Sequence, residues 1–151
     1  MKIKTLDQLY TISKTISEKI EVNDNILLFG ELGVGKTTFA RQLINYLQKK
    51  NNLKESHVLS PTFNIVYNYD VKLFQIMHYD LYRIKTENEV KELGIFENIK
   101  EQIKIIEWPE IISNKVLSKL ELHFSYDTNL NYRNLNIKGY GKWKKFKIDE
   151  I

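Results

Sequence analysis

No cysteine occurs anywhere in the chain, which excludes a disulfide framework and a thiolate metal centre and fits a cytoplasmic setting. Long apolar runs are also missing. The opening Met1-Lys2-Ile3-Lys4-Thr5 begins basic, but the residues after it alternate with polar ones, so neither an apolar signal core nor a membrane-length stretch forms. No membrane partner is expected. Arginine is scarce, with only Arg41, Arg83 and Arg133 among the basic residues, which argues against dense bidentate recognition of phosphates. Repeats, long linkers and low-complexity tracts are absent as well.

What is present suits one domain spanning residues 1–151, because 151 residues with 42% hydrophobic content supply one substantial core and not two. The 23 Lys and Arg against 19 Asp and Glu give a net charge of +4, the balance of an ordinary mixed-charge surface. The tail is locally basic: Arg133, Lys138, Lys142, Lys144, Lys145 and Lys147 precede the acid at Asp149, with Trp143 and Phe146 among them. Two readings fit it. One is a contact with nucleic acid through phosphates and stacking; the other, preferred one is a terminal strand whose lysines face solvent and protect an edge.

Spacing assigns the rest. Leu6, Leu9, Ile12, Ile16 and Ile20 form an apolar stripe at helical intervals, and Asn25–Phe29 is a short buried strand ending at Gly30. Thr37 to Gln48 returns to a helical rhythm. Val58-Leu59 reads as a short strand broken at Ser60-Pro61. Phe63 to Tyr69 and Lys72 to Tyr79 read as a hairpin turning across Asn68 to Lys72. A helix over Glu87 to Leu93 ends at Gly94, a C-cap. Strands follow at Ile103–Ile106, Leu117–Tyr126 and Tyr132–Tyr140. The order predicts an α/β domain of the P-loop type, with a mostly parallel or mixed central sheet, flanking helices, and the first two helices on one face.

Gly30-Glu31-Leu32-Gly33-Val34-Gly35-Lys36-Thr37 fits the Walker A pattern in the strand–loop–helix context it requires. Glycine lets the loop curl and turn its N–H groups inward, and the following helix adds a positive dipole, so a triphosphate is the fitting ligand. Glu31, Leu32, Gly33, Val34, Gly35, Lys36, Thr37 and Thr38 are the expected nucleotide-binding residues. Lys36 reaches the β- and γ-phosphates and the Thr37 hydroxyl coordinates Mg²⁺, while Thr38 supports the first helical turn.

A magnesium site also needs a carboxylate at the end of a neighbouring strand. Asp80 and Glu107 both qualify. Glu107 is assigned to the Mg²⁺ shell, directly or through water, and Asp80 to a second metal-facing or water-positioning role, although the two assignments are interchangeable. Lys36, Asp80 and Glu107 are thus the expected catalytic set, with Thr37 and Glu107 on the metal. His78 shares Asp80's strand face and reads as a structural histidine or as a partner of Asp80 or a phosphate-side water. Ser60-Pro61-Thr62-Phe63 is a plain turn or a loop sensing the γ-phosphate. Trp108 covers the nucleotide region, serves an interface, or is simply half-buried, and Arg83 contacts phosphate, a partner, or a surface acid.

In their order, the P-loop, Ser60-Pro61-Thr62-Phe63, His78-Tyr79-Asp80-Leu81-Tyr82-Arg83, Glu92-Leu93-Gly94 and Ile106-Glu107-Trp108-Pro109-Glu110 resemble the bacterial TsaE family over nearly the whole chain. That family is the ATPase component of the machinery making N6-threonylcarbamoyladenosine in tRNA. The resemblance implies ATP as nucleotide, Thr62 in a switch-like loop, and Asp80 and Glu107 as the acidic functional pair. It further implies slow, Mg²⁺-dependent ATP hydrolysis stimulated by TsaD and TsaB-like partners, with tRNA contact indirect or weak. Val34 stands where the family commonly has Ala, and Arg133 matches the family's late arginine only loosely. The alternatives are a small-molecule P-loop kinase, a non-hydrolysing nucleotide-regulated binding module, and a basic nucleic-acid-binding protein.

Overall fold

The computed structural model describes residues 1–97, 101–128 and 131–148. In chain order the elements are β1 (Lys2–Ile3), α1 (Leu6–Ser17), β2 (Asn25–Phe29), α2 (Lys36–Lys50), β3 (Val66–Val71), β4 (Phe74–Asp80), α3 (Glu87–Glu92), β5 (Gln102–Glu107), β6 (Lys119–Tyr126) and β7 (Arg133–Tyr140). Short 3₁₀ turns occupy Ser113–Lys115 and Gly141–Lys145.

The strands form a single sheet in the order β1-β7-β6-β2-β5-β4-β3. Its middle is parallel, with β2 between β5 and β6 and β5 beside β4. Antiparallel pairings extend both sides, β3 on β4 and β7 on β6, with β1 added at the far edge. The sheet is therefore mixed. Alternation along β2 splits the core: Ile26 and Leu28 join α1 and α2 on one face, whereas Leu27 joins Tyr79, Leu81, Val90 and Ile106 on the other. The first two helices do share a face.

Several boundaries differ from the sequence expectation. The hairpin turns at Lys72-Leu73 and not across Asn68 to Lys72, because Tyr69 and Val71 are buried and their strand keeps pairing to deliver them. Asn68 and Asp70 occupy the exposed positions of that strand, where turn-forming side chains cost little. Val58-Leu59 forms no strand; Val58 is a buried anchor in irregular chain, and its carbonyl accepts from Arg41 Nε at 3.2 Å. α1 stops at Ser17, and Ile20 packs on the core from the turn beyond it.

The basic tail is a strand only as far as Tyr140. Beyond it the 3₁₀ turn drives Trp143 into the core at 3% exposure, with its ring edge-on to Phe146 and its indole N–H on Asp24 Oδ1 at 3.2 Å. Lys142 lies 2.7 Å from Asp24 and 2.9 Å from Glu21. These aromatics are anchors and not stacking platforms. Replacing Trp143 with Ala is expected to cost about 3–5 kcal/mol, read as a lower urea midpoint; an unchanged midpoint would show that the tail is not part of the core.

Candidate nucleotide site

β2 ends at the glycine loop, whose backbone no ordinary residue adopts easily. Gly30, Gly33 and Gly35 have φ of 133°, 74° and 120°. At Gly30 space is also lacking, since a Cβ would stand 2.4 Å from the Phe124 carbonyl oxygen of β6. Val34 is buried at 2% and holds the loop to the core with its side chain, while its N–H closes a turn onto Glu31 O at 3.3 Å. Leu32 projects outward, 72% exposed. From Gly35 the chain enters α2, which has no side-chain N-cap and no acid in its first turn. Its leading N–H groups are thus open to an anion.

The Lys36 ammonium folds back onto the carbonyls of Gly30 at 2.6 Å and Glu31 at 2.9 Å, and lies 4.0 Å from the centre of the Trp108 ring. Burial pulls its pKa down, and the nearby charges of Glu107, Asp80 and Glu110 oppose that shift. Trp108 holds this position in a left-handed conformation, φ 55°, which is strained for a bulky residue. Tyr82 packs on the same ring in a tilted arrangement, 4.8 Å between centroids.

The two expected carboxylates end adjacent strands in register, Asp80 paired with Glu107. Both are buried, at 3% and 2% exposure. Their partners differ. The Thr37 hydroxyl donates to Glu107, 2.9 and 3.0 Å from its two oxygens, and His78 Nε2 lies 2.8 Å from Oε1. Asp80 accepts from the Thr62 hydroxyl at 2.7 Å and from the Tyr82 N–H at 2.9 Å. Thus His78 meets Glu107, a partner that its place two residues before Asp80 does not suggest.

A cleft of about 120 Å³ gathers Lys36, Thr37, Ser60, Thr62, Asp80 and Glu107. Ser60 and Thr62 are joined through their hydroxyls at 2.8 Å. Arg83 does not face this cleft's acids; its guanidinium stacks 4.6 Å over exposed Phe63. Among the described residues no cluster of three or more His, Asp or Glu side chains stands ready for a metal. The donors present, one hydroxyl and one carboxylate beside an anion-binding helix end, still fit Mg²⁺, which takes few protein oxygens and completes its shell from phosphate and water.

A second cavity of about 270 Å³ opens on the other side of the loop and shares Gly33, Gly35 and Thr38 with the first. Its far wall is Lys4, Thr5, Leu6, Tyr132 and Arg133. Its walls lie at opposite ends of the chain and meet through the pairing of β1 with β7, Lys2 with Asn134 and Ile3 with Arg133, so no local pattern announces it. The one signal was Thr5, which caps α1 by accepting from Gln8 N–H.

Comparison with known proteins fits this geometry. A family model described as Threonylcarbamoyl adenosine biosynthesis protein TsaE matches residues 3–135. The tRNA threonylcarbamoyladenosine biosynthesis protein TsaE of Rickettsia conorii is 41% identical over 103 residues, covering 68% of this chain and 57% of that protein. The protein of the same description from Aquifex aeolicus is 34% identical over 108 residues, covering 72% of this chain and 74% of its own. A crystal structure of Bacillus subtilis YdiB superposes with a TM-score of 0.72 at 19% identity, over 96% of this chain and 87% of that one, and so shares the fold. The match spans less than two thirds of the Rickettsia conorii protein and of its Rickettsia felis counterpart, at 57% and 58% of their lengths.

Proposed function

Because the chain belongs to the TsaE family, we propose that it binds Mg²⁺-ATP at Gly30 to Thr37 and hydrolyses it slowly to ADP and phosphate. The observation that carries this reading is the bond between the Thr37 hydroxyl and Glu107, 2.9 and 3.0 Å from the two carboxylate oxygens. It joins the start of α2 to the end of β5 at the spot where an open helix terminus receives anions.

The chain's own groups divide the work. The N–H groups of the loop and of the first α2 turn bind the phosphates, and Glu31, Leu32, Gly33, Val34 and Gly35 contribute backbone, not side chains. Lys36 leaves the carbonyls of Gly30 and Glu31 to neutralise the β- and γ-phosphates. Thr37 and Glu107 would hold Mg²⁺, which would supply neutralisation of charge on the phosphate oxygens. Asp80 fixes Thr62, and through it the Ser60–Phe63 loop, against the γ-phosphate side; that bond supports a water-positioning role for Asp80. The nucleoside occupies the cavity between Thr5, Tyr132 and Arg133.

Relatives named for tRNA threonylcarbamoyladenosine biosynthesis support a role in that modification, and membership of the TsaE family is the ground for proposing TsaD and TsaB-like partners that stimulate turnover. Among the described residues no helix is long and apolar enough to cross a membrane; the proposed setting is the cytoplasm. Assaying ADP and free phosphate from ATP, with and without added small-molecule acceptors, tests the reaction class. Equal ADP and phosphate independent of acceptor is the expected result. ADP formed only with an acceptor, which itself becomes phosphorylated, would replace the ATPase by a kinase.

A further inference from the structure

The histidine behind Glu107 is fully enclosed, and only one of its ring nitrogens has a partner among the described residues. His78 has 0% exposure. Its Nε2 lies 2.8 Å from Glu107 Oε1, whereas Nδ1 is equally enclosed and meets no hydrogen-bond partner among the described residues. Between the two neutral tautomers, these contacts assign the proton to Nε2. A proton on Nδ1 would bury an unsatisfied N–H and turn the Nε2 lone pair toward a carboxylate oxygen, two unfavourable contacts at once. With the proton on Nε2, a bond to the carboxylate forms and only a weak acceptor is left bare.

The backbone supports that bond. His78 and Asp80 share a face of β4, Ile105 and Glu107 share a face of β5, and His78 pairs in register with Ile105. Glu107 is therefore the diagonal neighbour of His78, within reach of a long side chain. Besides His78, the side-chain donor on Glu107 is the Thr37 hydroxyl, which spans both carboxylate oxygens.

We propose that His78 is a positioning residue for Mg²⁺-nucleotide binding: as an Nε2–H donor it fixes the orientation of the Glu107 carboxylate, so that Thr37 is free to serve the metal. This rests on the reading of Thr37 and Glu107 as the Mg²⁺ site. When Thr37 turns toward a ligand, Glu107 keeps the His78 bond and does not rotate away. Partners of this kind, one shell behind a ligand, commonly govern metal affinity.

The test is the affinity of the purified protein for ATP, measured by equilibrium titration over a range of Mg²⁺ and in its absence. Wild type is expected to bind more tightly with Mg²⁺; no Mg²⁺ dependence at all would overturn the reading of the metal site itself. If that dependence is present, His78→Leu should require about 10–100-fold more Mg²⁺ for the same affinity, with metal-free affinity unchanged. His78→Gln, which returns an N–H near the Nε2 position, should largely restore the wild-type curve. Adding His78→Leu to Glu107→Ala, which removes the group that His78 holds, should change the Mg²⁺ dependence no further. A wild-type Mg²⁺ curve in His78→Leu, equal loss in the Leu and Gln variants, or an additional loss in the double variant would each overturn the positioning role. Should His78→Leu fail to fold, ¹⁵N spectra of histidine-labelled wild type decide: a ring protonated on Nε2 is expected, and a ring protonated on Nδ1 alone overturns the proposal.

Discussion

Lys36→Ala is expected to lower ATP turnover by at least about 10²-fold, the scale of losing one preorganised charge at a transferring phosphoryl group. The ammonium is buried, and its two bonds are to backbone carbonyls of the loop that it is proposed to leave on nucleotide binding. Its pKa is lowered by burial, so its charge is incompletely compensated by the acids around it. The cost to the folded state is separable from the loss of turnover: each bond from the charged ammonium to a carbonyl is worth about 1.5–3 kcal/mol, against which its removal relieves the burial that lowers its pKa. Turnover and thermal midpoint measured on one preparation separate these effects. A variant that melts like wild type yet hydrolyses ATP at the wild-type rate would remove Lys36 from the reaction.

Glu107→Gln is the second large effect, expected to reduce Mg²⁺-dependent turnover by about 10²-fold or more. Glutamine keeps the volume, and its carbonyl can still accept from Thr37 and His78, so the surroundings stay packed. Only the charge is lost. Asp80→Asn addresses a different function, because Asp80 ties Thr62 and the Tyr82 N–H and touches neither Thr37 nor His78 through a hydrogen bond. It should weaken catalysis while leaving the Mg²⁺ concentration at half-saturation nearly unchanged. Wild-type Mg²⁺-dependent turnover in both variants would dispose of the acidic pair.

The division between what the sequence shows and what it hides follows the range of the interactions. The loop, α2 and β2 are legible because glycine, lysine and threonine at fixed spacing are a local demand of phosphate geometry. Asp80 and Glu107 are legible because both stand at the ends of apolar runs, where parallel strands deliver side chains to a cleft. Their division of labour is not legible, since it depends on strand register. His78 lies two residues from Asp80 and yet bonds Glu107 across β4 and β5.

Local composition also misleads where burial overrides it. Asn68 and Asp70 signal a turn, but Tyr69 and Val71 need the core and the strand runs on. The lysines around Trp143 fit a solvent-facing terminal strand or, as the second reading, a nucleic-acid contact, whereas the indole itself is committed to Asp24 and, from a 3₁₀ turn, to the interior. The cavity bounded by Thr5 and Arg133 joins two ends of the chain through the two-residue strand β1, too short for any periodicity to announce.

The most direct measurement is the steady-state rate of phosphate release from ATP by this protein alone, then with TsaD and TsaB-like partners and tRNA. A slow basal rate that rises on adding the partners, and that is lost in Lys36→Ala under the same conditions, is the predicted result. A rate unaffected by the partners, or stimulation that survives Lys36→Ala, would contradict an ATPase working through this P-loop in the modification machinery.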